Sequence, residues 1–227
     1  MDQVTFQKLL NQFYGPFTSQ QAESKASLVA TEKRIGTRLP KVLRDYYLLA
    51  GRDGRLNQAH NHLLQLEDLL VEEKALVFYV ENQAEVLWAI LDRDLGMTDP
   101  PVYRAENSDE DQDLEWQLDH RFLSDFLITM ACWQAAAGGM DYSGIATIQA
   151  PVVETIRENW QVIPIGDNAW GLAVYGREGQ VLIVLEDPQE GITLLAAGRT
   201  AEDFTEIESR LDLDWQERTA PDEEEHP

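Results

Sequence analysis

Few residue types in this chain combine reactive chemistry with the spacing a site needs. Four histidines, His60, His62, His120 and His226, and one cysteine, Cys132, are the nitrogen and sulfur ligands it offers to a transition metal. His60 and His62, in NQAHNH, are close enough to share an ion. No HExxH and no cysteine pair accompanies them, so both read as loop or structural residues. Asp109, Asp111 and Asp113, in DEDQD, repeat the first three ligands of a calcium loop. Leu114 then stands where the sharp turn needs glycine, and His120 where a bidentate glutamate is needed, so the segment is not an EF-hand. Ser143, in DYSGI, lacks the first glycine of a nucleophile elbow. Cys132 lies in an apolar stretch, where a thiol behaves as a small hydrophobe and not as a thiolate. The chain has no P-loop and no GxGxxG fingerprint. Its carboxylates are too numerous for one pair to stand out as acid and base. The expectation is no catalytic residue, no cofactor and no metal; an enzyme with a non-local carboxylate site is the alternative.

Two polar stretches remain. ALVFYVENQAEVLWAILD, residues 75–92, sets two short apolar runs around Glu81, Asn82, Gln83 and Glu85. Short β-branched and aromatic runs read as strands. Asparagine is at home in turns, where its side chain bonds its own backbone. The stretch therefore reads as a strand end and a turn, not as an active site. The second is the acidic run ending in DLE, in which Glu106, Asp109, Glu110, Asp111, Asp113 and Glu115 are the candidate partner-binding residues. It lies in a chain with 41 acids against 18 bases, a net charge of −23. Such a surface repels nucleic acid and anionic membrane and steers toward a basic protein. No apolar run approaches the roughly 20 residues that span a bilayer. The start, MDQVTFQKLLNQF, is not a signal peptide, and one cysteine allows no internal disulfide, so a cytoplasmic setting is expected.

The elements that must position these residues follow from periodicity. Helices are expected over 4–14, through SQQAESKASLVATEKRIG, and from Pro40 to Gly51. Further short strands are expected in PPVYRA and LEWQLD, then a helix in RFLSDFLITMACWQAAAGG. Residues 138–150, rich in glycine and alanine, read as a linker. PVVETIRENW reads as a short helix, and QVIPI, WGLAVYG, QVLIVLE and ITLLAAG as strands. Thr200 and Asp203 mark a last helix with a capping-box start. Runs of helices followed by runs of strands indicate an α+β fold. The sheet should be antiparallel or mixed, with helices mainly on one face and a C-terminal β-rich extension. The expected divisions are a domain over 1–139, an extension over 151–212 packed on it, and a disordered acidic tail over 216–227. The six tryptophans read as core for the most part; Trp215, next to the tail, is the one with a possible interface role.

The order IGTRLPKVLRDYYLLAG, LVFYVENQAEVLWAI, DPPVY, a Trp-bearing strand and FLSDFLITM resembles the SUKH superfamily, over about Ile35 to Gly139. That group contains the yeast Knr/Smi cell-wall-synthesis regulators and many bacterial immunity proteins. In this resemblance LPKVLRDYYLLAG fits the family's characteristic helix, with Tyr46 and Tyr47 facing the core. The longer, more polar GRDGRLNQAHNH departs from the short Gly-rich turn common in the family. The resemblance implies binding instead of catalysis: an immunity protein that covers a toxin, such as a basic nuclease, or a regulatory scaffold of the yeast type.

Overall fold

The computed structural model describes residues 3–72, 74–107, 114–167, 170–189 and 191–220. The chain opens with helices. α1 is Gln3–Tyr14, stopped where Gly15 takes φ +81°. α2, Lys25–Ile35, starts where the Ser24 side chain accepts the Ser27 N–H, and ends in left-handed Gly36. α3, Lys41–Ala50, follows Pro40 and buries Leu43, Tyr46, Tyr47 and Ala50. α4 is the single turn Gly54–Asn57.

A first sheet follows, made of β1 (His62–Leu63), β2 (Leu70–Glu72), β3 (Ala75–Val80), β4 (Val86–Leu91), β5 (Val102–Glu106) and β6 (Gln117–His120). Its order is β1-β3-β4-β5-β6, with β2 also on β3, and every pairing is antiparallel. A register shift between Val77 and Tyr79 turns both Phe78 and Tyr79 toward the core.

α5 (Leu123–Gln134) buries ten of its twelve residues. A helix apolar all round must be covered all round. The second sheet supplies the other cover: β7 (Tyr142–Ile148), then α6 (Ala150–Asn159), β8 (Gln161–Ile163), β9 (Leu172–Arg177), β10 (Gln180–Asp187), β11 (Gly191–Gly198), α7 (Ala201–Leu211) and β12 (Glu217–Thr219). Its order is β12-β7-β11-β10-β9-β8, again antiparallel. One core joins Phe78, Trp88 and Ile90 of the first sheet, Phe126 and Leu127 of α5, and Val174, Val181, Ile183 and Leu195 of the second sheet. On the far side of the second sheet, Leu182, Val184 and Leu194 pack with Ile156, Phe204 and Ile207 of α6 and α7. The order of layers is sheet, helices, sheet, helices.

The fold is α+β, as the order of periodic segments implies. Three details differ from the sequence reading. Helices lie on both faces of the second sheet, not mainly on one. The stretch 138–150 is not a linker: the chain leaves α5 through Ala135–Gly139, where Ala137 and Gly138 break the helical geometry, and then forms β7, inside the second sheet. Gly138 takes a φ of +112°, and Gly139 and Gly144 are there because other groups pass close. A Cβ on Gly139 would lie 2.3 Å from the Arg55 carbonyl oxygen, and one on Gly144 2.6 Å from Trp215 Cε3. The tail expected from 216 is ordered at Glu217–Thr219, which pair with Ile145, Gly144 and Ser143 of β7; residues 221–227 lie outside the described residues.

Candidate acidic binding site

The β3–β4 turn is built by Glu81. Its carboxylate accepts the N–H groups of Gln83 at 2.7 Å and Glu85 at 3.4 Å. The Glu81 N–H in turn donates to the Val86 carbonyl at 2.9 Å, and Ala84 takes a left-handed φ of 61° to close the loop. The Asn82 N–H donates to Asn61 Oδ1 at 3.3 Å, and its side-chain amide meets His60 Nε2 at 3.2 Å. Glu81 and Asn82 are thus engaged in holding the turn, as their residue types suggest.

Glu85 is not. β4 and β5 pair with Val86 opposite Glu106, which sets Glu85 beside the end of β5. The Asn107 N–H donates to the Glu85 carbonyl at 2.8 Å, and its side-chain amide to the Ala84 carbonyl at 3.0 Å. A cleft of about 480 Å³ is lined by Glu85, Val86, Glu106 and Asn107. The side chains of Glu85 and Glu106 are exposed and have no hydrogen-bond or ion-pair partner among the described residues. Glu115 is also exposed, two residues before β6, the strand that pairs with β5. Asp109, Glu110, Asp111 and Asp113 lie outside the described residues. The sequence reading placed Glu106 and Glu115 among the partner-binding candidates but assigned Glu85 only to a turn. What brings Glu85 and Glu106 to one cleft is the strand register, across a separation of 21 residues in sequence, and no local pattern carries that.

The other reactive groups are committed elsewhere. His60 packs edge-on against Trp133, and its Nδ1 lies 2.9 Å from Asn61 Oδ1. His62 Nδ1 lies 3.0 Å from Gln58 Oε1. Among the described residues no three His, Cys, Asp or Glu side chains are grouped to hold a metal ion. Cys132 is fully buried, and burial pushes its thiol up to about 12. Ser143 is buried in β7.

Asp119, His120 and Thr129 form a line that sequence reasoning missed. His120 Nδ1 lies 2.8 Å from Asp119 Oδ2, and its Nε2 lies 3.2 Å from the Thr129 hydroxyl. These are the contacts of an acid–base–nucleophile relay, but the setting is not. His120 is 0% and Thr129 1% exposed, and Thr129 Oγ1 donates to the Asp125 carbonyl at 2.9 Å. Asp119 Oδ1 accepts from Trp170 Nε1 at 3.2 Å, with Arg104 Nε 3.9 Å away. The line is closed to reactants in this structure and works as a polar clamp, tying β6 to α5 and to the segment that enters β9. Only the adjacent Asp–His pair at a strand end was visible in the sequence.

Together these features define an antiparallel two-sheet α+β protein with an acidic cleft at one end of its first sheet. Comparison with family models, with curated proteins and with solved structures finds no match. No helix among the described residues is long and apolar enough to cross a membrane.

Proposed function

We propose that this chain is a non-enzymatic protein-binding domain that captures a basic protein partner with the acidic end of its first sheet. The SUKH resemblance makes an immunity protein the most concrete form of the reading, with a basic toxin domain of nuclease type as the partner and a cytoplasmic setting. The observation that carries it is the pair Glu85 and Glu106: exposed, without a partner among the described residues, and lining one cleft. Carboxylates with no internal partner keep their full field for a partner, and a chain of net charge −23 adds long-range attraction for a cation-rich surface.

The test is capture from native lysate by the tagged chain at low and high salt, with mass-spectrometric identification, followed by association kinetics with the protein identified. One dominant basic protein, lost at high salt, is expected. The Glu85→Lys/Glu106→Lys double variant should then associate about tenfold more slowly or worse, because rim charges act mainly on the association rate. An unchanged rate would remove the cleft as the binding surface. Capture of no basic protein at either salt would remove the reading itself.

A further inference from the structure

The cations of this chain are as unevenly placed as its acids. Residues 25–55 hold eight of the 18 Lys and Arg and only three of the 41 Asp and Glu. These residues are α2, α3, α4 and their connections. Two of the acids are paired locally: Glu32 with Arg44, and Asp53 with Arg55. Asp45 is paired with Lys41. What is left over is positive. Lys33 and Arg38 are exposed and have no hydrogen-bond or ion-pair partner among the described residues. They line a groove of about 430 Å³ with Val29, Glu32, Gly36, Thr37 and Arg44. Gly36 leaves the groove open, because nothing lies within 4 Å of where its Cβ would be. Val29 adds an apolar spot that is 57% exposed.

We propose that this groove is a docking site for a short acidic peptide segment of a partner protein, one that carries an aliphatic side chain among its carboxylates. Lys33 and Arg38 would meet the carboxylates, and Val29 the aliphatic group. The groove volume falls within the range of small-ligand sites, about 300–1,000 Å³, and so suits a few residues of chain. The charge around it selects length. The rest of the chain holds 38 acids against ten cations. Glu67 and Asp68 stand directly after the Leu66 carbonyl that Arg34 holds at 2.8 Å. With a screening length of about 8 Å at physiological salt, an anion confined to the groove feels mainly its cations. A long polyanion such as nucleic acid overruns the groove and meets the acids beyond it.

The site is separate from the acidic cleft. The Val42 N–H donates to the Thr98 carbonyl at 3.1 Å, which ties the start of α3 to the connection leaving the Leu91 end of β4. The cleft is at the Val86 end, roughly 17 Å away along a strand that rises about 3.4 Å per residue. The two charged surfaces can therefore be altered independently.

The experiment is fluorescence anisotropy of a fluorescein-labelled peptide, EELEED, titrated with the full chain at about 50 mM and about 300 mM salt. Saturable binding at low salt that weakens at high salt is expected. Lys33→Glu/Arg38→Glu should weaken it about tenfold or more, and Lys33→Gln/Arg38→Gln by less. Circular dichroism and the melting temperature check that each variant is folded. The proposal is overturned by no binding to the wild-type chain, by equal binding to the Lys33/Arg38 variants, or by tighter binding of an oligothymidylate of the same charge. Self-association of the chain that depends on Lys33 and Arg38 would likewise overturn it, assigning the groove to a second copy.

Discussion

Gln134 ends α5 with both polar atoms of its side chain out of reach of water. It is 0% exposed. Its Nε2 donates to the Tyr79 hydroxyl at 2.9 Å and to the Asn61 carbonyl, and its Oε1 accepts the His60 N–H at 2.6 Å. One side chain thereby satisfies the His60–Asn61 backbone and the innermost tyrosine of β3. Gln134→Leu keeps most of the volume and leaves those groups unpaired. Each unsatisfied buried group costs about 1–3 kcal/mol, so a loss of about 3 kcal/mol in urea denaturation is expected. A loss under about 1 kcal/mol would show that the partners find one another without it. Asp125, at the start of the same helix, makes a pH prediction. Burial first, and the nearby Asp99 carboxylate second, hold its carboxyl above the ordinary aspartate range. Its ionised form is therefore disfavoured by folding. Its contribution is present below its unfolded pKa and is lost as pH rises through the folded one. Asp125→Asn should accordingly stabilise the chain relative to wild type at neutral pH, with the difference vanishing near pH 3, in thermal melts across that range. A variant less stable at neutral pH would mean that the carboxylate's helix-start position outweighs its burial.

At the scale of elements, Gly144 of β7 shows why some of the fold was legible and some was not. β3, β4, β9, β10 and β11 are short apolar runs between turn residues, and α5 is a long one. Such patterns follow from local burial and can be read directly. The capping box of α7 is local too: Thr200 Oγ1 accepts the Asp203 N–H, and Asp203 Oδ2 accepts the Thr200 N–H. A glycine carries two opposite meanings in a sequence, chain freedom or close approach, and only the fold distinguishes them. In β7 it means close approach: Trp215 lies on the strand at Gly144 and packs against Phe204 with ring centroids 5.3 Å apart. The candidate site was legible in its residue types and not in its assembly. Glu106 was visible as part of an acidic run, but its neighbour Glu85 depends on the β4–β5 register. Gly144→Ala tests the strand. Its Cβ would sit 2.6 Å from Trp215 Cε3 and 3.0 Å from Phe204 Cζ. Trp215 should be pushed from β7 toward water, with a red-shifted emission and a loss of about 1–3 kcal/mol, the usual cost of overpacking. Unchanged emission and stability would place Trp215 elsewhere.

For the whole molecule the deciding quantity is the charge of −23. Salt acts on two opposing terms. It weakens ion pairs, and surface pairs such as Arg157–Glu154 and Arg199–Glu178 contribute little in water. It also screens repulsion among the surplus acids. Two like charges about 10 Å apart in water repel by about 0.4 kcal/mol, and each unpaired acid has several such neighbours. The second term wins when acids outnumber cations by more than two to one, as here. The melting temperature should therefore rise by several degrees between about 20 mM and about 300 mM sodium chloride, where a change of 1 kcal/mol moves a domain of this size by about 2–4 °C. Both proposed encounters, a basic partner at Glu85 and Glu106 and an acidic segment at Lys33 and Arg38, should weaken over the same interval. Stability and affinity then run in opposite directions with salt. Binding lost at high salt while the melting temperature holds or climbs is screening of an electrostatic interface. A parallel fall of both would show that ion pairs hold the fold together, and that the loss of binding reflects unfolding.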